Sequence, residues 1–187
     1  MQSELQLVIL WPMKVILDAN QIDNVLADLT DRIVSDIPSG VEIAVIGIRS
    51  RGEILAQRLS RILSDQLAKD ISCGTLDITL YRDDINDPQG ETQPTVRSTE
   101  IAFDISDKII VLVDDVLYTG RSIRAALDAL IDLGRPKAIR LAVLVDRGYR
   151  ELPIQADYTG CKVDIAPDQS VTVNLVEADE KDQVIVE

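Results

Sequence analysis

KIIVLVDDVLYTGRS, Lys108 to Ser122, sets an apolar run against two adjacent carboxylates and a small polar turn. The run reads as a buried strand. Charge is rarely taken into such a place without a partner, so something beyond the strand should engage Asp114 and Asp115. After the turn comes RSIRAALDALIDLG, with Ile123, Ala126, Leu127, Leu130 and Ile131 at helical spacing and Gly134 as C-cap. The backbone amides of Thr119, Gly120, Arg121 and Ser122 therefore fall at a helix N-terminus, a natural anion site. Carboxylates beside that cradle would repel phosphate itself but accept from sugar hydroxyls or face a hydrated Mg2+. The combination fits a phosphorylated sugar; the plain alternative is two solvated acids in a βα turn with an ordinary cap.

Working outward, MKVILD opens as a strand, and Asp18 with Gln21 three places on forms a capping box. Ile22, Val25, Leu26, Leu29, Ile33 and Ile37 mark one helix face that stops before Pro38. VEIAVIG is a second strand, IRSRG a turn, and EILAQRLSRILSDQLAKD a second helix. TLDITLY is predicted as the third strand. From about 83 to 100 there is no periodicity, only Pro, Gly and polar residues, which predicts a long flexible loop. AIRLAVLV is a further strand, DRGYRELPIQADYTG is turn-rich, and SVTVNLV and DQVIVE are late strands. Alternating strands and helices predict an α/β fold with a mostly parallel central sheet flanked by helices. Residues 13–187 form a single domain in this reading, with 1–12 as an N-terminal extension that includes Trp11.

Such sheets bind ligands beyond the carboxyl ends of their strands, and two more polar clusters fall there. GIRSRG, with Arg49, Ser50, Arg51 and Gly52, suits phosphate or diphosphate, or is a glycine turn with solvated arginines. YRDD places Arg82 at the mouth of the long loop, with Arg97 near its far end.

Composition bounds the chemistry. Of 187 residues 46% are hydrophobic, a globular content, and no apolar run is long enough to span a bilayer. The N-terminus lacks a secretory signal pattern, so a cytoplasmic protein with no membrane association is expected. Cys73 and Cys161 are expected as free thiols. Histidine is absent, which excludes Ser-His and Cys-His catalysis and any His-ligated metal. The 19 basic and 32 acidic residues give a net charge of −13, a field that repels nucleic acid.

VLVDDVLYTGRS resembles the diphosphoribose-binding motif of the type I phosphoribosyltransferases. DITLYRDD, VDDVLYTGRSIRAALDALIDLGRP, AVLVDRG and RELPI resemble, more narrowly, the PyrR family, bacterial pyrimidine operon attenuators that are also uracil phosphoribosyltransferases. The likeness runs from Met13 to the C-terminus. It implies the type I fold with a small hood, hood elements falling near 145–170. It implies that Asp114 and Asp115 hold the ribose hydroxyls and that Thr119, Gly120, Arg121 and Ser122 bind the 5′-phosphate. Arg49 to Gly52, with Ser50 and Arg51 between, match the diphosphate loop. Arg82 begins the closing loop. Val145, Asp146 and Arg147, up to Gly148, receive the pyrimidine. The implied reaction is uracil plus 5-phosphoribosyl 1-diphosphate (PRPP) giving UMP and diphosphate, with Mg2+ accompanying the donor. Implied partners are uracil, PRPP, UMP, pyr leader mRNA and further copies of the chain, as a homodimer or larger. Tyr118 stands where purine-using relatives often carry a third acid, which favours a pyrimidine. Family members carry a histidine where this chain has Tyr149, basic residues where it has Gln155 and Cys161, and PTS where it has Asp164 to Ala166, so RNA control is expected to be weakened. The rival reading is a UMP-sensing RNA regulator with little catalysis.

Overall fold

The computed structural model describes residues 13–83 and 97–187. The N-terminal extension, Trp11 and most of the long loop lie outside the described residues. β1 (Lys14–Asp18) runs straight into α1 (Ala19–Asp36). The expected capping box closes the junction: the Gln21 amide donates to Asp18 Oδ1 and the Asp18 amide to Gln21 Oε1, each at 2.9 Å. Two donors that the first helical turn leaves without partners are thereby met.

The main sheet has five strands, all parallel: β2 (Ile43–Ile48), β3 (Ser72–Leu76), β4 (Ile109–Leu117), β5 (Ala138–Asp146) and β6 (Tyr158–Lys162), in the order β3-β2-β4-β5-β6. Alternate residues build two cores. Val45, Val111 and Val113 pack with Leu26 and Leu29 of α1 and Leu55 and Leu59 of α2 (Arg51–Leu67). Ala44, Ile46, Ile110 and Leu112 pack with Ile123, Ala126 and Leu130 of α3 (Arg121–Leu133). Burial on both faces is why these strands read as unbroken apolar runs.

A smaller antiparallel sheet, order β1-β8-β7, joins the N-terminal strand to β7 (Val171–Asn174) and β8 (Gln183–Val186). It lies outside the 145–170 stretch expected for the hood, which instead holds the end of β5, β6 and the connection to β7. The short turn α4 (Val176–Asp179) is tied to α2 through arginine. Arg58 donates from Nε to Glu177 and from Nη1 to Asp182, each at 2.9 Å, and Arg51 Nη2 donates to Asp179 at 2.7 Å.

Four local expectations are corrected. TLDITLY is not one strand: β3 ends at Leu76, and Thr79–Tyr81 is a single 3₁₀ turn. The Asp77 carboxylate accepts from the Thr79 amide and hydroxyl, a side-chain capture that starts a turn and stops a strand. β6 begins inside the stretch read as turn-rich and runs two residues past it. It is an edge strand of mixed polarity, and a Cβ at its Gly160 would sit 2.4 Å from Val25 of α1. α2 begins inside GIRSRG, at Arg51. Ile131 is on the apolar spacing of α3 yet is exposed. Both cysteines are free.

Candidate functional site

A cavity of about 370 Å³ opens at the carboxyl ends of β2 and β4, between the N-termini of α2 and α3. Asp114 and Asp115 line it, and neither lies beyond the strand as expected: β4 continues to Leu117 because its pairing with β5 runs through Leu117↔Asp146. Asp114 is buried and Asp115 partly so. Each carboxylate accepts from the next backbone amide, Asp115 N to Asp114 Oδ1 at 3.0 Å and Val116 N to Asp115 Oδ1 at 2.9 Å. Burial, then the charge of Asp115, pushes the Asp114 carboxyl well above its ordinary value. Burial raises Asp115 as well, opposed by the Val116 amide and the Arg51 charge. These acids are poorly satisfied by the protein alone, and hydroxyl donors or a cation would relieve them.

The turn after β4 has the form the sequence suggests. Gly120 has φ of +92°, a left-handed conformation that side chains rarely adopt, and a Cβ there would meet Ile154 at 3.3 Å. Among the described residues the amides of Thr119, Gly120 and Ser122 donate to no protein acceptor. The Thr119 carbonyl is held by the amides of Glu151 and Leu152, at 3.0 and 3.2 Å. The N-terminus of a regular helix with open amides is a favourable anion site. Ser122 borders the cavity. Arg121 differs from expectation: its guanidinium donates to Glu151 at 2.7 Å and to Asp83 at 2.6 Å, so only its backbone belongs to the cradle.

Arg49, Ser50, Arg51 and Arg82 all border the cavity. Arg49 pairs with Glu100 at 2.9 Å and Glu53 at 3.4 Å. Gly52 does not reach the cavity; it is where α2 touches β4, and a Cβ there would lie 2.6 Å from the Val113 carbonyl. Asp77, Thr79 and Arg97 also line the wall. Asp77 and Thr79 were missed because they were assigned to a strand. Burial would raise the Asp77 carboxyl, but its bonds from Thr79 and the Arg97 amide hold it below the ordinary value.

Val145, Asp146 and Arg147 lie at the end of β5, off the cavity. Val145 is fully buried. Asp146 Oδ1 accepts from Gly148 N at 2.9 Å and Arg150 at 2.7 Å. Arg147 is 6% exposed and lies with its guanidinium 3.7 Å from the centre of the Tyr118 ring. Arg150 donates to the carbonyls of Tyr118, Gly148 and Ile154 at 2.8–3.1 Å.

For Mg2+, the described residues contain no cluster of three or more acidic or thiol side chains able to cage a metal. Mg2+ keeps several waters and binds through one or two carboxylates plus substrate phosphates. A cavity lined by the underprovided Asp114 and Asp115 fits that mode.

Parallel strands that set an acid pair beside an open-amide turn define a phosphoribosyl-binding α/β domain. The phosphoribosyl transferase domain model matches residues 13–181. The chain is 48% identical over 172 residues to the bifunctional protein PyrR of Alkaliphilus metalliredigens, covering 92% of this chain and 93% of that protein. It is also 48% identical over 173 residues to the bifunctional protein PyrR of Deinococcus radiodurans, covering 92% and 93%. The fold is similar to that of a hypoxanthine-guanine phosphoribosyltransferase from Bacillus anthracis, with a TM-score of 0.67, 20% identity and coverage of 93% and 96%. The chain belongs to the PyrR family of the phosphoribosyltransferases. Among the described residues no helix is long and apolar enough to cross a membrane.

Proposed function

We propose that the protein is a uracil phosphoribosyltransferase that converts uracil and PRPP to UMP and diphosphate in the cytoplasm, as a homodimer or larger assembly. The observation that carries this reading is the buried Asp114–Asp115 pair beside a turn with open amides. Ribose hydroxyls donate to the two carboxylates, which lowers the cost that burial and mutual repulsion impose on them. The amides at 119–122 hold the 5′-phosphate, and Gly120 gives them room. Arg49, Arg51 and Arg82 sit where departing diphosphate needs cations, an electrostatic role that asks for no histidine. Mg2+ bound with the donor supplies further neutralisation of that leaving charge. The strand end at Val145 to Gly148 receives uracil, whose N1 attacks C1′. N1 of uracil is acidic enough that no strong general base is required.

Regulation through RNA is the weaker half of the proposal. Arg147 and Arg150 are basic in sequence, but both guanidiniums are turned into the protein. With Tyr149, Gln155, Cys161 and Asp164 at neighbouring positions and a net charge of −13, few phosphate contacts remain. A sensor of UMP without catalysis has no need of arginines around a diphosphate, and Arg49, Arg51 and Arg82 border the cavity.

Two assays test the reading. Incubation with uracil, PRPP and Mg2+ should form UMP, with little conversion of guanine or hypoxanthine; conversion of purines alone overturns the substrate. Binding to a pyr leader hairpin at moderate salt should be weak with or without UMP; nanomolar, UMP-dependent binding restores full RNA control.

A further inference from the structure

We propose that Glu100 is a resident competitor for diphosphate: its carboxylate pairs with the Arg49 guanidinium, so PRPP and departing diphosphate must displace it and are held less tightly than the arginines alone would hold them. This rests on the transferase reading above and adds to it a residue that lowers affinity for one half of the donor and leaves the other half alone.

Arg49 follows β2, and its amide donates to the Leu76 carbonyl at the end of β3, at 3.0 Å. Glu100 lies across β3 from β2 and is planted there by its backbone. Its amide donates to the Thr75 carbonyl at 2.8 Å, and the Thr75 amide donates to the Glu100 carbonyl at 2.9 Å. The side chain, by contrast, is 65% exposed. It reaches over the strand end, where Arg49 Nη2 donates to Glu100 Oε1 at 2.9 Å and Ser98 Oγ donates to the same oxygen at 2.8 Å. Arg49 is not fully met by these contacts. Among the described residues its buried Nε has no hydrogen-bond partner, and its other acid, Glu53, stands 3.4 Å from Nη1.

Two other acids near the cavity cannot exchange so easily. Asp77 accepts from Thr79 on one oxygen and from the Arg97 amide on the other. Asp179 pairs with Arg51 at 2.7 Å, is 18% exposed, and also accepts from the Leu175 amide at 3.0 Å. Releasing either leaves backbone amides without their acceptor, which is costly. Glu100 released from Arg49 turns into water, and an ion pair with one exposed partner is weak. A tethered carboxylate still competes as an internal ligand at high effective concentration. An anion gripped at once by Arg49, Arg51 and Arg82, all on the cavity wall, displaces it at small cost. The 5′-phosphate sits at the 119–122 turn and displaces nothing from Arg49.

The test titrates magnesium diphosphate and ribose 5-phosphate calorimetrically into the full chain and into Glu100→Gln, Glu100→Ala, Arg49→Gln and the double variant Arg49→Gln with Glu100→Gln. Removing the Glu100 charge should tighten diphosphate about two- to fivefold and leave ribose 5-phosphate within about 1.5-fold of the parent. In the Arg49→Gln background the same substitution should change diphosphate less than about 1.5-fold, because the competition acts through that guanidinium. The gain should also shrink as salt is raised. If Glu100→Gln does not fold, Glu100→Ala gives the same comparison. Unchanged or weaker diphosphate binding, an equal gain for ribose 5-phosphate, or a gain that persists in full without Arg49 overturns the proposal. Failure of the transferase reading shows differently, as a parent that binds diphosphate and gains affinity through Glu100→Gln but forms no UMP from uracil and PRPP.

Discussion

Asp114→Asn should make the ligand-free protein more stable while damaging the site. Asp114 is 7% exposed, and burial together with the charge on Asp115 lifts its carboxyl well above 3.8. Its bond from the Asp115 amide, 3.0 Å long, can be kept by the asparagine oxygen. What the substitution removes is a buried charge beside a like charge. An acid raised above its unfolded value destabilises the fold at pH above the folded value, and that penalty fades as pH falls through the folded value toward 3.8. Relief of such functional strain is worth about 0.5–2 kcal/mol. A chain of this size moves about 2–4 °C per kcal/mol, so Tm should rise by about 1–8 °C at neutral pH. The advantage over the parent should shrink as pH falls toward 3.8, because the buried carboxyl of the parent takes up its proton above that value. Binding runs the other way. Loss of a hydrogen bond to a charged acceptor, about 1.5–3 kcal/mol, weakens UMP about 10–150-fold. Thermal unfolding at several pH values, with and without UMP, reads both effects. A variant less stable than the parent at neutral pH, or an offset that ignores pH, refutes the reasoning.

Other substitutions probe separate parts. Gly120→Val puts a β-branched side chain at φ +92° and against Ile154, so ribose 5-phosphate affinity should fall at least about 100-fold and Tm should drop as well. Arg121→Ala should cost phosphate affinity only a few fold, because the guanidinium is engaged by Asp83 and Glu151; a loss above about 100-fold would show that it reaches the ligand. Arg58→Ala should loosen the small sheet from α2, with the Arg51–Asp179 pair left in place. Its forks to Glu177 and Asp182 are worth about 1–2 kcal/mol after allowance for the part-exposed Glu177, or about 2–8 °C in Tm. Arg58 holds both acids below their ordinary values of 4.5 and 3.8, so this stability is present above those values and lost as pH falls below them. The Tm difference between parent and Arg58→Ala should therefore narrow in acid.

Legibility in the sequence followed how local the cause was. The Asp18–Gln21 box, the α3 periodicity up to Leu130 and the Gly120 turn depend on neighbours within a few residues, and these stand as read, whereas Ile131 is exposed. β4 reads four residues short in the sequence because its extension from Val113 to Leu117 depends on pairing with β5, which no local pattern records. β6 was missed for a similar reason: an edge strand holding Gly160 against α1 has no apolar alternation to betray it. Asp77 is the local exception: its capture of Thr79, two residues on, stops the strand inside an apolar alternation that reads as β, and only its bond from the Arg97 amide spans the long loop.

Charge was the least legible property, and the basic residues near the site show why. Sequence counts Arg121, Arg147 and Arg150 alike, as cations available to phosphate. In the fold one pairs with two surface acids, one stacks on Tyr118 and grips carbonyls, and one fastens the end of β5 to the carbonyls of Tyr118 and Ile154. A guanidinium already satisfied by fixed carbonyls gains little from a phosphate and would lose those bonds in reaching it. Counting such residues overstates any RNA-facing surface.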